Sequence, residues 1–564
     1  MEKRLVLAMI LTALVLVVIP RLFPTPPGAR RTITPDSATI STGAGLNTPG
    51  VIPADSAGAA TETRIGAAPA LPAPLTGGTL AVLAETTVVV PEAMSDSGPM
   101  STYRFVNQGA TLIGLELHKY RALTKRGGNV QIARPGEPIL RYRLALAGDT
   151  VVLDDVTFRG EQTGQTLTYT ARIRDADVAL AYTFVPDSYV VRVKGTVQGG
   201  ATPARLLIDL PRGIRSEETD TVEDHRQLAY AYKPVVGNAR SIRFDKLDPG
   251  ETQRYSGSLN WVVTKNKYFV VGLLTPAGDA PFQDIVAVGG PRTSKVATTA
   301  SATIIEPVTD GRFAFEIYAG PQDSRRLLAM GRDFQDANPY GGWMQGAVQP
   351  FARIVMQILL WIRDTFRLNY GWVLVIFGVA VRIALWPLNQ RAMRASLRMQ
   401  QIQPQLMEVQ KRYQDNPEKQ RSEMMRVYKE HNMTPFSPMV GCLPMLLPMP
   451  ILFALFFVFQ NTIEFRGVSF MWLPDISLKD PYYIVPVLMG LSMFVLSWIG
   501  IRNAPPNPQA KMMAYFLPVL MTVFFLNFAS GLNLYYAVQN IAALPQQWLI
   551  ANERAKTTSP PKRT

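Results

Sequence analysis

At 564 residues the chain is too long for one ordinary core and, at about 150 residues per domain, divides into three to four units. Lys and Arg number 57 against 43 Asp and Glu, a net charge of +14, with one Cys and three His. That supply excludes a disulfide framework and a CxxC site and leaves little for metal or His-based catalysis, so no catalytic or metal-ligating residue and no cofactor is expected. The basic excess suits nucleic acid, an anionic membrane surface or cytoplasmic loops equally well. The uncharged stretches decide between them: Asn432 to Ile463, Pro481 to Ile501 and Met512 to Asn552 contain no Asp, Glu, Lys or Arg, which soluble domains rarely allow.

Glu2-Lys3-Arg4 precede an apolar run from Leu5 to Ile19, readable as a signal-peptide core or an uncleaved anchor. No A-x-A site closes it and Arg21 and Pro24 follow directly, which favours a retained anchor over residues 1–21. Residues 22–78 are rich in Pro, Ala, Gly, Thr and Ser, and no aromatic residue occurs between Phe23 and Tyr103; such a segment cannot offset its ordering entropy and reads as a flexible periplasmic linker. Within 79–345 the pattern turns to short β-rich runs: Thr87 to Val90, Leu112 to Leu117, Ile139 to Leu146, Tyr189 to Val197, Trp261 to Leu274 and Phe313 to Tyr318. Several alternate, as in Arg141-Tyr142-Arg143-Leu144-Ala145-Leu146, and together they predict a large antiparallel β-sandwich.

Residues 346–368 show helical periodicity, with Phe351, Ile354, Val355, Ile358, Leu359, Ile362 and Phe366 on one face. This predicts an amphipathic helix lying at the membrane interface, or else packed on the sandwich. A core over 369–550 follows, with spans at 371–388, 443–460, 482–501, 512–528 and 532–550. Its last uncharged stretch is 41 residues long, about twice what one helix needs to cross a ~30 Å hydrocarbon layer, and Ser530-Gly531 supplies the turn. With the anchor this makes six transmembrane helices. The segment 389–434 holds nine Lys and Arg and the tail 551–564 holds Arg554, Lys556, Lys562 and Arg563, so both are expected in the cytoplasm. Both termini are then cytoplasmic and the β domain lies outside, in the periplasm.

Arg382 is the one charge between Asn369 and Leu388. An intramembrane arginine costs from about 2.5 to well over 10 kcal/mol, depending on the reference state, unless it finds water, a partner or the headgroups. It stands about 9 Å of helix from Leu388 at 1.5 Å per residue, so snorkelling to the cytoplasmic headgroups and a hydrated recess are both open. The other spans offer no carboxylate. Candidate polar neighbours are Gln539 and Asn540 on the last span, with Tyr535 and Tyr536 one turn earlier; interhelical bonding alone also accounts for such residues. Fifteen of 22 methionines follow residue 388, suiting a surface that accepts varied apolar sequences, or ordinary packing. The segment 389–434 reads as two helices broken at Asp415-Asn416-Pro417, a basic hairpin for docking partners or anionic headgroups. No GxxxxGK[ST], HExxH or GxSxG motif is present.

The runs GWVLVIFGVAVRIALWPLN from Gly371, EMMRVYKEHN from Glu423, GCLPMLLPMPILFALFF from Gly441, DPYYIVPVLMG from Asp480 and LPVLMTVFFLNFASGLNLYY from Leu517 resemble the YidC/Oxa membrane protein insertases. The anchor and β domain resemble the Gram-negative form, in which the β domain is a supersandwich similar to sugar mutarotases. The resemblance implies a polytopic α-helical inner-membrane protein whose five-helix core encloses a hydrophilic groove open to cytoplasm and lipid. Arg382 then matches the groove arginine, with Tyr535, Tyr536, Gln539 and Asn540 beside it. Clients would slide into lipid along the third and fifth spans, past Cys442, Met445, Met449, Phe453, Phe516, Val519 and Phe524. Gly378 stands where some relatives place Thr, and Pro448 where Gln is common. The implied role is an insertase and folding chaperone, not an enzyme. Its implied partners are nascent membrane proteins, the Sec translocon, the ribosome and signal recognition particle pathway through hairpin 389–434 and the tail, and membrane lipids, with no specific nucleic acid.

Two rivals remain: a transporter using Arg382 to bind an anion, for which inverted repeats are missing, and a periplasmic sugar-binding sensor built on the β domain. Deleting most of the β domain separates the second. Insertion measured by complementation of an insertase-depleted strain is expected to survive the deletion, and its loss would favour the sensor.

Overall fold

The computed structural model describes residues 85–91, 99–146, 149–200, 203–292, 296–338, 345–431, 449–502 and 508–558; the proposed anchor, most of the linker, and positions 442 and 445 lie outside them. Among the described residues the N-terminal half forms two antiparallel sheets. The smaller has four strands in sequential order: β1 (Glu85–Pro91), β2 (Pro99–Val106), β3 (Thr111–Arg121) and β4 (Asn129–Gln131). In β2 the pleat sends Tyr103 and Phe105 into the core, each fully buried, and turns Arg104 outward, as a period of two requires.

The larger sheet has 14 strands, more than an open sheet holds without folding on itself. Its turning point is the long strand Thr252–Lys265. The first part pairs with Phe282–Gly289 and the second with both Ala229–Pro234 and Phe269–Leu274, and the register shifts between Tyr255 and Ser258. The apolar run Trp261 to Leu274 is thus a hairpin of two strands, whose corner at Asn266 is closed by its side chain accepting from the amides of Tyr268 and Phe269. One alternating strand has no exposed polar face: Arg141 and Arg143 are both buried. Arg143 donates to Asp209 through Nε at 3.0 Å and Nη2 at 2.6 Å, and to Thr303 at 3.0 Å. A sheet covered on both faces makes such a paired fork the way to place an arginine.

The C-terminal half is helical: α1 (Gln345–Phe366), α2 (Tyr370–Ala384), α3 (Trp386–Arg412), α4 (Pro417–Glu430), α5 (Met449–Asn461), α6 (Ile484–Ile501), α7 (Pro508–Phe525) and α8 (Ser530–Thr558). By itself only α6, among the described residues, is long and apolar enough to cross a membrane; α1 and α2 meet those limits together but bend by 117° at their junction. Arg367 at φ 51° makes that corner, and Asn369 caps α2 by accepting from Gly371 N at 2.9 Å. Helix α2 stops at Ala384 because Pro387 has no amide to continue the ladder.

Helix α1 is apolar on two sides. Ala352, Val355, Met356, Leu359 and Ile362 are buried in the same cluster as α2 and α5 residues, while Phe351, Ile354, Ile358 and Trp361 are exposed. Its first turns are tied to the β domain, where Gln349 and Arg353 both donate to Asp336. The helical hairpin is a separate small unit: Ile402 and Leu406 of α3 meet Val427 and Tyr428 of α4, and Asn416 caps α4 by accepting from Lys419 N at 3.1 Å.

The β domain rests on the segment between α5 and α6. Arg466 donates through Nε to Glu218 at 2.7 Å with both side chains over 90% buried, and its guanidinium lies 5.4 Å over Phe269. Tyr268 donates to Ser477 Oγ at 3.1 Å, and Ser324 N donates to Glu464 Oε1 at 3.2 Å. The same segment fixes the helices. Asp480, fully buried, accepts from the amides of Tyr482 and Val485 at the start of α6, and Ser530 and Gly531 at the start of α8 donate to Leu478 O and Ile476 O at 2.7 and 2.9 Å. Glycine is needed at 531, since a Cβ would lie 2.4 Å from the Phe459 ring.

Burial, with Asp323 adding to it, pushes Glu464 from its ordinary 4.5 up to about 7. Burying this side chain is therefore cheapest with the carboxyl protonated: its contribution to stability is complete below pH 4.5 and is lost as pH rises through about 7. Amide exchange at Ser324 and 463–470, corrected for intrinsic base catalysis, is expected to be faster at pH 8 than at pH 6. Glu464→Gln is expected to remove that difference; an unchanged pH dependence would contradict the assignment.

Candidate functional site

The polar interior of the helical core is built on the face that α2 shares with α8. Gln539 donates to Gly378 O at 2.8 Å, and Arg382 Nη2 donates to Gln546 Oε1 at 2.9 Å. Moving up both helices together, the contacts pass from 378 with 539 to 382 with 546, so α2 and α8 run in the same direction. Gly378 permits the approach, because a Cβ there would stand 3.0 Å from Val538 Cγ1. Where the resemblance suggests a threonine hydroxyl, this chain presents a backbone carbonyl to Gln539.

Gln546 is fully buried and its amide is used at both ends, accepting from Arg382 and donating to Trp386 O at 3.0 Å and Gln390 Oε1 at 3.1 Å. It fixes the guanidinium against the kink between α2 and α3. Two donors beside it are left over: Arg382 Nε and Asn389 Nδ2 are buried and have no partner among the described residues. No Asp or Glu occurs in α2, α5, α6 or α7, and none in α8 before Glu553. The site is thus rich in donors and lacks a counter-charge, an arrangement that calls for water or an incoming acceptor.

The other predicted groove residues divide between two faces. Tyr535 packs its ring 5.8 Å from Phe377 and accepts through its hydroxyl from Gln539 at 3.2 Å, on the Arg382 side. Asn540 turns to α6, donating to Ser492 Oγ at 3.1 Å and Met489 O at 3.4 Å, and Tyr536 packs 5.4 Å from Phe525 of α7. Neither touches Arg382. Of the apolar residues, Phe516 and Val519 are exposed on α7 at 47% and 60%, while Phe453 and Phe524 are half-buried. Phe524 packs 4.9 Å from Phe528. Met449 opens α5, and Cys442 and Met445 lie outside the described residues. Sequence reading missed Gln546 and Asn389. Gln546 carried a usable signal, since seven residues after Gln539 is two turns of helix and the same face.

A helical core with a buried arginine that lacks a counter-charge, joined to a large antiparallel β domain, defines a membrane protein with a polar interior. The family profile described as 60Kd inner membrane protein matches residues 361–557, and that described as YidC periplasmic domain matches 99–354. The membrane protein insertase YidC of Chlorobium phaeovibrioides is 30% identical over 490 residues, covering 80% of this chain and 82% of that protein. That of Chlorobaculum tepidum is 29% identical over 513 residues, covering 83% of each. A crystal structure of an active YidC insertase with its first transmembrane domain resolved aligns with 84% of this chain and 95% of its own, at 16% identity and a TM-score of 0.32. The chain belongs to the YidC family of membrane protein insertases, inner-membrane proteins with a periplasmic domain, and its activity is membrane protein insertion.

If the lack of a counter-charge matters, supplying one should be harmful. Gln546→Glu places a carboxylate on Arg382 but gives up the bonds that the amide donates to Trp386 O and Gln390 Oε1, so it is expected to leave the purified protein folded with little net change in stability while lowering insertion several-fold. Thermal midpoints in detergent and complementation of an insertase-depleted strain measure the two. Undiminished insertion would contradict the role of the open donors.

Proposed function

We propose that Arg382, with Gln546, Gln539 and Tyr535, lines a hydrated groove that receives the polar tail or loop of a nascent membrane protein. The observation that carries this reading is the pair of buried, unpartnered donors, Arg382 Nε and Asn389 Nδ2. A client's carbonyls or carboxylates satisfy them in passing, which lowers the cost of bringing polar groups into the membrane. The apolar part of the client leaves along α5 and α7. The exposure of Phe516 and Val519 on α7 supports that route, with Phe453, Phe524, Met449, Cys442 and Met445 continuing it.

In this reading the chain has six spans, both termini are cytoplasmic, and the outward apolar row of α1 rests among lipid acyl chains. The parallel course of α2 and α8 agrees with their crossing in the same sense. The hairpin of α3 and α4 and the basic tail meet the ribosome and its targeting pathway, and the core works alone or with the Sec translocon, without catalysing a covalent step. Free energy comes from transferring about twenty apolar residues into lipid and, for acidic tails, from the membrane potential, about 2.3 kcal/mol per charge per 100 mV.

The groove needs hydration and positive charge more than a bidentate fork, so Arg382→Lys is expected to retain most insertion and Arg382→Ala to lose several-fold more. Complementation at equal expression levels measures this. Equal activity of both variants and the unaltered protein would remove support for the groove.

A further inference from the structure

The β domain carries a second polar site. A cleft of about 450 Å³ opens on the outer face of the four-stranded sheet, lined by Arg104, Arg134, Arg215, Glu116, Glu137 and Gln131 among others. Strand register builds its floor: Thr102 of β2 stands opposite Glu116 of β3, which stands opposite Gln131 of β4, and Arg104 stands opposite Gly114. Its wall is the turn Ala133–Pro138, fixed by Pro135, Pro138 and the Glu137 N to Arg134 O bond of 3.1 Å. Such a site is formed before any ligand arrives, and its volume suits a small molecule.

The three arginines are not equivalent. Arg215 is engaged with Glu217 at 3.1 Å and Gln131 at 3.2 Å, and Arg134 with Glu137 at 3.6 Å and Thr298 O at 3.5 Å. Arg104 is exposed and has no hydrogen bond or ion pair among the described residues. It is nevertheless held in place, because its guanidinium lies on the backbone of Gly114, where a Cβ would stand 2.7 Å from Nε and 2.8 Å from Nη2. A long side chain in that position has less rotamer freedom to lose on binding. With Arg134 held by Glu137 and Arg215 by Glu217, Arg104 is the arginine of the cleft without a carboxylate partner among the described residues. Glu116, which accepts from Asn129 at 2.8 Å, and Glu137 add acceptors that favour hydroxyl donors and disfavour a doubly charged anion.

We infer that this cleft binds a small hydroxylated carboxylate, its carboxylate on the Arg104 fork and its hydroxyls directed to the glutamates. The test is titration calorimetry of the full-length protein in detergent with D-gluconate, with sorbitol as the uncharged counterpart and inorganic phosphate as the alternative anion. Saturable binding of gluconate is expected, with none of sorbitol and affinity for phosphate at least roughly tenfold weaker. Arg104→Ala is expected to reduce gluconate affinity roughly tenfold or more, as losing a charged hydrogen-bond pair does. Gly114→Ala keeps the charge but pushes the guanidinium from its seat, and is expected to weaken binding to a lesser degree. Arg104 is on the surface, so an unchanged thermal midpoint verifies that its variant is folded. No saturable heat with gluconate, equal affinity in both variants and the unaltered protein, or phosphate bound as tightly as gluconate would overturn the inference.

Discussion

Among the described residues the guanidinium of Arg382 has one protein acceptor, Gln546 Oε1 at 2.9 Å, and no carboxylate occurs in α2, α5, α6 or α7 or in α8 before Glu553. An arginine side chain has five N–H donors, and in hydrocarbon each unsatisfied one is costly. The need to solvate that group organises the rest of the core. It explains why Gln546 is fully buried yet bonded at both ends of its amide, why α8 comes close enough for Gln539 to reach Gly378 O, and why a kink at Pro387 lies beside the site. A continuous helix there would use the Trp386 and Gln390 groups differently.

Elsewhere the same chain treats buried cations in the opposite way. Arg143 is held by both oxygens of Asp209, and Arg466 by Glu218 under a lid formed by Phe269. Removing a partner from a buried pair of that kind costs about 3–5 kcal/mol, so these arginines are fixed parts of the scaffold. Arg466 and Glu218 join the β domain to the segment between α5 and α6, and that segment in turn caps α6 and receives the start of α8. The scaffold charges are neutralised in place, whereas Arg382 meets only the neutral Gln546 among the described residues.

Much of this was legible in the residues. Uncharged stretches located the helical core, alternation located strands such as Arg141–Leu146, and Arg382 stood out as the isolated charge whose bond to Gln546 the structure shows. The parts that were not legible share one cause, which is that pairing across the chain is invisible in local pattern. Alternation does not show that Arg143 is buried, because nothing nearby announces Asp209, 66 residues later. Asn540 and Gln539 are adjacent in sequence yet serve different helices, and only the packing separates them. Helix ends also escaped, since Ala384 ends α2 through the chemistry of Pro387 and not through a change in hydropathy.

A hydrated groove requires water at Arg382 Nε itself. Solid-state NMR of the arginine-labelled protein in lipid bilayers reads this directly, as polarisation transfer from water protons to the side-chain nitrogen, with the resonance assigned by its loss in Arg382→Lys. Rapid transfer, comparable with that to surface arginines such as Arg104, is expected. Transfer as slow as to Arg143, which is sealed in the β domain, would show a dry guanidinium and contradict the groove.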